Sequence, residues 1–465
     1  MKKAFLVGIK GVGMTALALI LKDQGWLVQG SDVTDQTFVT DQALSQAHIP
    51  VVDFQPDHLN SDLDLVIYSG AYHPQKHHQL LRAQTLNLPL QTQQQTLANL
   101  TQTRHLIAVA GVGGKTTTSA LLTHLFRQSG QEVGYFVGAG TINHQARPGA
   151  WGNHSLFIAE ADEYANNLQL DPTPKLLLLQ PQEIVLPNLQ FDHPDIYQSP
   201  QQTLDTFSQF VAKLPDSGRL YFNTDSQFIH QLLGQLSSPP QTVSVGFHSS
   251  ADWQIQSLQY HQAKTIISLA HQNQTYQLES FLFGQHNARN LVLAAAVGFH
   301  HGLDWSQIQT ALATFKGVGR RQEYRGQLSG ALFYDDYGHH PVEIKATLQA
   351  FKQRFPQRRL WVFFESHTYT RTLKLLPDFI AALSLADQLT ILPIFASARE
   401  KQQSPSITHQ DLADQLRQQG KPAQALSFAE AEHQLKTQVQ PNDLVLTLGA
   451  GIVYQLHDKL FNNHA

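Results

Sequence analysis

Cysteine is absent from all 465 residues. That excludes disulfides, thiolate zinc sites, iron–sulfur clusters and cysteine nucleophiles. Charge is scarce too, at 15% of residues against a usual ~25%. Lys and Arg total 32 against 36 Asp and Glu, a net charge of −4. No strong attraction to nucleic acid or anionic lipid follows. No apolar run approaches the ~18 residues that would cross a membrane. Met1-Lys2-Lys3 and the apolar residues 4–9 imitate a signal peptide, but Lys10 ends the run and no small-residue cleavage site follows. The segment reads as the first strand of a cytoplasmic protein.

Apolar residues make up 42% of the chain and histidines number 24. The length suits two to four domains at ~100–200 residues each. Strand–turn–helix units recur throughout. Residues 4–8 form an apolar strand, and Gly8-Ile9-Lys10-Gly11-Val12-Gly13 a glycine-rich turn. Met14, Leu17, Ile20 and Leu21 then fall at helical spacing, with Gly25 as the stop. Strands are expected at 26–29, ending in Gly30-Ser31-Asp32, and at 64–68, ending in Ser69-Gly70-Ala71. Small or polar residues at strand ends are where open α/β sheets bind ligands. The polar run 91–95 reads as a boundary. A second unit opens at residues 105–110 and a third near Glu323, with strands at 331–334, 360–364, 389–393 and 444–448. A linker is expected at 322–326 and a surface loop at 401–406.

The strongest motif is Ala110-Gly111-Val112-Gly113-Gly114-Lys115-Thr116-Thr117. It follows an apolar strand and opens a helix with an apolar face of Leu121, Leu122, Leu125 and Phe126. Glycines let successive N–H groups converge on one anion, and the helix N-terminus adds about half a positive charge. Lys115, expected on a surface loop, would reach the β/γ-phosphates of a nucleotide, and the Thr116 hydroxyl suits Mg²⁺. The glycines at 8, 11 and 13 are a weaker signal for phosphate binding, in the order G-x-x-G-x-G, with a tight structural turn as the alternative. Asp32 would serve a dinucleotide ribose, but a nicotinamide enzyme needs no second, ATP-type loop. Glu160, Asp162 and Glu163 follow another apolar strand and offer oxygen ligands to a divalent cation. A solvated acidic turn is the plain alternative. Asn188 to His193 follows a further strand and brings an imidazole.

These pieces are followed by Gly284-Gln285-His286-Asn287-Ala288-Arg289-Asn290, Gly319-Arg320-Arg321, Asp335-Asp336-Tyr337-Gly338-His339-His340-Pro341 and His367-Thr368-Tyr369-Thr370-Arg371-Thr372. The series resembles the Mur ligases, ATP-dependent amide-forming enzymes of peptidoglycan precursor synthesis, over nearly the whole chain. The last two runs, with residues 394–400 and 449–451, look most like members that join L-alanine to UDP-N-acetylmuramate. The runner-up is the kind that recycles whole peptides onto the same sugar, because the spacing from Glu160 to His193 is long.

The resemblance implies an α/β chain of three domains: a Rossmann-like UDP-sugar domain at 1–104, a central P-loop ATPase with a mixed sheet at 105–322, and a Rossmann-like amino-acid domain at 323–465. It assigns ATP to Gly111, Gly113, Gly114, Lys115, Thr116, Thr117, Asn287, Asn290, Arg321 and Asp336. The UDP-sugar falls to Gly8, Gly11, Gly13, Met14, Ser31, Asp32, Ser69, Gly70 and Ala71. The amino acid falls to Tyr337, His339, His367 and Arg371, with Arg371 on its carboxylate. Thr116, Glu160 and His193 are matched to two Mg²⁺ or Mn²⁺ ions, and Lys115, Glu160, His193, Arg321 and Asp336 to catalysis. Partners are UDP-N-acetylmuramate, L-alanine and ATP, on a monomer or homodimer. The chain departs from the family pattern at Val112-Gly113, where Thr-His or Ser-His is usual, at Gln190 in place of an acid, and at Thr368 in place of a basic residue. No arginine stands near Gln93. Ser208 occupies the position at which some relatives carbamylate a lysine. A non-catalytic nucleotide- or sugar-binding regulator is the alternative from another class.

Overall fold

The computed structural model describes residues 1–193, 196–261, 263–396 and 406–462, with Asn462 described for its backbone alone. Pro194, residues 397–400 of the 394–400 run, and residues 401–405 of the expected loop lie outside these. Among the described residues no helix is long and apolar enough to cross a membrane.

The first sheet has five parallel strands in the order Val51–Val52, Leu27–Ser31, Lys3–Val7, Leu65–Tyr68, Leu90–Thr92. The helix Val12–Asp23 buries Met14, Leu17, Ile20 and Leu21, as their spacing predicts. It ends where Gly25 turns left-handed at φ 83°, a conformation in which glycine has no Cβ penalty. The strand expected at 26–29 runs on through Gly30 and Ser31. The polar run 91–95 is regular structure, a strand end and a helix start. Thr92 closes the last strand and caps the helix Gln93–Thr101, accepting from Gln95 N–H while Gln95 answers its own N–H. That reciprocal cap needs the polar residues whose abundance imitates a loop.

The second sheet has ten strands. Its parallel centre runs Arg219–Asn223, Glu183–Leu186, His105–Val109, Leu156–Glu160. Trp253–His261, Lys264–His271 and Gln274–Ser280 extend it as an antiparallel meander, making the sheet mixed as expected. Gly149 approaches the helix Val12–Asp23 so closely that a Cβ would lie 2.4 Å from the Ala16 carbonyl oxygen. The third sheet has six strands ordered Glu323–Leu328, Ala331–Asp336, Asp443–Gly449, Arg359–His367, Gln388–Phe395, Ala423–Ala425. All pairs are parallel except the first. Residues 322–326 are therefore mostly edge strand, not linker.

The chain gathers into two compact units. The first holds the five- and ten-stranded sheets, and the second holds the chain from Gly319 onward with Leu282–His286 and His193.

Candidate active site

In the first unit, the strand His105–Val109 delivers the chain to the glycine loop. Gly111 has φ 122°, and a Cβ there would lie 2.2 Å from the Asn188 carbonyl oxygen. Val112 N–H donates to that oxygen at 2.9 Å, and the Asn188 amide returns a bond to Val112 O at 3.0 Å. Gly113 and Gly114 are also left-handed, at 84° and 87°. The helix Lys115–Gln128 starts directly after them, with Leu121, Leu122, Leu125 and Phe126 buried. Its first N–H groups have no intrahelical acceptor, which makes its start an anion cradle. Asn290 stands over Gly114, its Oδ1 2.9 Å from where a Cβ would be. Its amide donates to Asn287 Oδ1 at 3.2 Å. Thr117 is buried in the first turn.

Lys115 is not on an exposed loop. It is the first helical residue, with a side chain only 16% exposed, ion-paired at 2.6 Å to Glu163, itself 2% exposed. Its Nζ also donates to Gly111 O at 2.8 Å. Burial would lower its pKa, but the charges of Glu163, Asp162 and Glu160 prevail and push it up, so the ammonium stays charged. The Thr116 hydroxyl donates to Glu160 Oε1 at 3.0 Å, and Gly138 N–H donates to Glu160 Oε2 at 2.8 Å. Asp162 pairs with Lys175 at 2.8 Å. The acidic run is thus built into the loop's surroundings rather than solvated.

The other glycine turn joins the carboxyl ends of the first sheet. Gly8 N–H donates to Ser31 O at 2.8 Å. Asp32 accepts from Lys10 N–H at 2.8 Å and from Val33 N–H at 2.9 Å. The Ser31 hydroxyl bonds the Gln79 side chain. Gly11 N–H returns to Gly8 O at 3.2 Å, and Gly13 faces Phe136 and Gln93. Met14 is in the core. Ser69 Oγ accepts from Ala71 N–H at 3.3 Å. A Cβ on Gly70 would meet Asn166 O at 2.1 Å. The strand order reverses between Lys3–Val7 and Leu65–Tyr68, the switch point at which such sheets bind ligands.

In the second unit, Asp336 is buried at the end of its strand and accepts from Gln322 N–H at 2.9 Å and Gly338 N–H at 2.7 Å. Burial raises its pKa to about 6, against the pull of Arg321. Arg321 lies over the Tyr337 ring at 4.9 Å. Tyr337, His339 and His367 form a chain of edge-to-face rings at 5.3 and 5.8 Å. Arg371 is 4% exposed. It donates to His367 Nδ1 and to His193 Nδ1, each at 3.3 Å. A guanidinium only donates, so both rings accept there.

Three groups stand out in roles that the motifs did not assign. Glu163 lies inside the acidic run, but its pairing across 48 residues has no local signature. Arg320 bonds Asp335 at 3.0 Å and the carbonyls of Gly449 and Gly451 at 2.6 and 3.0 Å. Glu365 lies near the end of the strand Arg359–His367, accepts from Val453 N–H at 2.8 Å, and is raised by burial to about 7.

Three family models match in succession: "Mur ligase family, catalytic domain" at residues 5–105, "Mur ligase middle domain" at 109–298, and "Mur ligase, glutamate ligase domain" at 320–451. The UDP-N-acetylmuramate–L-alanine ligase of Desulfitobacterium hafniense is 35% identical over 460 residues, 98% of each chain. That of Treponema pallidum is 33% identical over 480 residues, covering 99% of this chain and 96% of the other. Among solved structures, UDP-N-acetylmuramate-alanine ligase from Thermotoga maritima superposes with TM-score 0.81 at 22% identity, covering 100% of this chain and 99% of that one. A murein peptide ligase from Psychrobacter arcticus reaches 0.74 at 23% identity, covering 99% and 98%. A glycine loop with a buried, charged lysine and full-length identity of this order lead to one conclusion: the chain belongs to the Mur ligase family.

Proposed function

We propose that this protein is an ATP-dependent ligase that joins L-alanine to the muramyl carboxylate of UDP-N-acetylmuramate in peptidoglycan precursor synthesis. The observation that carries it is the 35% identity, end to end, to a relative of that activity. Three functional domains are proposed at 1–104, 105–322 and 323–465, taking UDP-sugar, ATP and amino acid in turn. The three large sheets, of five, ten and six strands, support that division.

A carboxylate resists amines because oxide is a poor leaving group. Transfer of the ATP γ-phosphoryl to the carboxylate oxygen gives an acyl phosphate. The alanine amine then attacks the carbonyl carbon, and inorganic phosphate departs as the amide forms. Lys115 is proposed to meet the γ-phosphoryl charge that builds during transfer. Gly111, Gly113, Gly114 and the first turn at Thr116 and Thr117 would hold the phosphates, Asn287 and Asn290 the adenine, and Arg321 and Asp336 the C-terminal side of the nucleotide. Tyr337, His339, His367 and Arg371 would hold alanine. Gly8, Gly11, Gly13, Met14, Ser31, Asp32, Ser69, Gly70 and Ala71 would hold the UDP-sugar, Met14 only by shaping the turn from the core.

The Thr116 hydroxyl and Glu160 carboxylate, 3.0 Å apart, are hard oxygen donors and fit Mg²⁺. Bound there, the ion would offset phosphate charge. An ion at His193 is a different case. Its Nδ1 accepts from Arg371, so the neutral ring carries its proton on Nε2. That hydrogen bond must break before either nitrogen could ligate a metal, and His193 is assigned first to orienting Arg371.

The test is ATP hydrolysis with UDP-N-acetylmuramate across a panel of amino acids and peptides. Phosphate release that requires both the sugar and L-alanine is expected. Release independent of any amino acceptor, or none at all, would reject the reading.

A further inference from the structure

His105, Glu183 and His301 are brought together from three elements, far apart in sequence. His105 opens the strand His105–Val109, Glu183 opens its parallel neighbour Glu183–Leu186, and His301 directly follows the helix Gln285–His300. Both imidazoles place Nε2 2.8 Å from the same carboxylate oxygen, Glu183 Oε1. The three candidate ligand atoms all lie within 4.8 Å of one another. The cluster sits at the amino ends of these strands. The glycine loop leaves their carboxyl ends, roughly 17 Å away for five residues of extended chain. It plays no part in the ligase chemistry.

Two further observations point to a ligand. Glu183 is 6% exposed, and among the described residues its second oxygen, Oε2, has no hydrogen bond of ordinary length. The neighbouring polar atom is the Tyr221 hydroxyl, which accepts from Arg219 at 3.3 Å and keeps its own proton to turn toward Glu183. Next to the cluster, a cavity of about 350 Å³ is lined by His105, His301, Gln131 and His154 among others. The Gln131 side-chain oxygen is buried without a partner among the described residues.

The geometry points to a site for a divalent transition metal of the zinc class, held by His105, Glu183 and His301 with a fourth position open to the cavity. Two imidazoles and one carboxylate with one open position is a common zinc donor set. Imidazole nitrogen favours zinc, cobalt or nickel over magnesium, whose sites are all oxygen. The three ligands stand on the elements that lead to the glycine loop, to Asn188, and back to Asn287 and Asn290. A metal there would tie those elements together at their far ends and stiffen the unit without touching substrate.

The experiment uses untagged, full-length protein, stripped with chelator and dialysed against Zn²⁺ in the presence of excess Mg²⁺. Bound zinc is counted by elemental analysis, and Co²⁺ replaces it for visible absorption. The wild type is expected to retain about one equivalent that Mg²⁺ does not displace, to show the intense bands of low-coordinate cobalt, and to melt at higher temperature with Zn²⁺. His301→Ala and His105→Asn should each lower zinc affinity by more than about tenfold and abolish the cobalt bands. Glu183→Gln is the stricter variant; if it does not fold, the two histidine variants decide. Zinc binding and cobalt spectra unchanged in His301→Ala, or no retained zinc in the wild type, would overturn the site.

Discussion

Lys115 shows what a single residue's surroundings change. From the motif alone it is a phosphate ligand whose removal should leave the fold untouched. In the structure it neutralises Glu163, which is 2% exposed. Removing one partner of a buried pair typically costs ~3–5 kcal/mol, because the other charge is left uncompensated. Lys115→Ala is therefore expected to abolish ligation and also to lower stability by roughly 3 kcal/mol. The double variant Lys115→Met/Glu163→Gln should recover most of that stability and none of the activity. Denaturant melts and phosphate-release assays on the same preparations check both. An active Lys115→Ala enzyme would remove the lysine from the mechanism. The loop and its lysine are legible because glycine spacing, strand and helix are neighbours in sequence. Glu163 as the partner is not, because a pairing across 48 residues depends on how two strands lie side by side. Glu365 was equally hidden. Its carboxyl, raised from 4.5 to about 7 chiefly by burial, binds its proton more tightly folded than unfolded. Stability from this group is complete at pH 4 and is lost as pH rises from about 4.5 through about 7. Glu365→Gln should thus melt at a higher temperature relative to wild type at pH 8 than at pH 4.5, by an amount worth roughly 3 kcal/mol. Parallel melting profiles for the two proteins would show that the carboxyl is not held neutral.

Among the elements, the helix Gln455–Asn462 carries the opposite pH dependence. It docks through Leu456 and Leu460 onto the core of the six-stranded sheet. Between them His457 is fully buried, packed edge-on to Phe333 at 5.7 Å. Neither of its ring nitrogens has a hydrogen-bond partner among the described residues. Burial depresses its pKa from 6.5 to about 4, with Asp335 opposing. The unfolded chain takes up this proton first, so the contribution is complete above pH 6.5 and lost as pH falls through about 4. His457→Phe should remove that acid sensitivity and add stability near pH 5 by about 1–2 kcal/mol, since it also removes two unsatisfied polar atoms. Because Glu365 and His457 slope in opposite directions in the same unit, each single variant should expose the slope of the other. Thermal melts from pH 4.5 to 8 on both variants and the double test this directly. The strands that frame these groups were legible: the runs at 331–334, 360–364, 389–393 and 444–448 are apolar because both faces of a parallel sheet are covered. Their order, with Asp443–Gly449 between Ala331–Asp336 and Arg359–His367, was not. Strand order is a long-range property with no local pattern. The helix start within the 91–95 run was hidden for the converse reason, since a capped helix start and a polar boundary segment draw on the same residues.

For the whole molecule the activity turns on which amine is accepted, and the full-length relatives are L-alanine ligases. A superposition at 22–23% identity fits both an alanine ligase and a murein peptide ligase, and at that identity it speaks only to fold. Discrimination is assigned to the residues of the second unit proposed to hold the amino acid. Arg371 is buried and donates to two imidazoles, so its fork is already oriented to exchange those weak acceptors for a carboxylate. A charge-assisted bond of that kind contributes about 1.5–3 kcal/mol. His367 is stacked on Phe395 at 5.8 Å and edge-on to His339, and these rings are proposed to wall the alanine methyl. One methyl in an apolar pocket is worth ~1–3 kcal/mol. Glycine should therefore be used measurably but at a kcat/KM about 10–100-fold below L-alanine. Arg371→Ala should raise KM for alanine more than any change at His339. Competition between L-alanine and L-Ala-γ-D-Glu-diaminopimelate decides between the two activities. A higher kcat/KM for the tripeptide would make this a peptide-recycling ligase, and Arg371 would then answer to a carboxylate several bonds from the reacting amine.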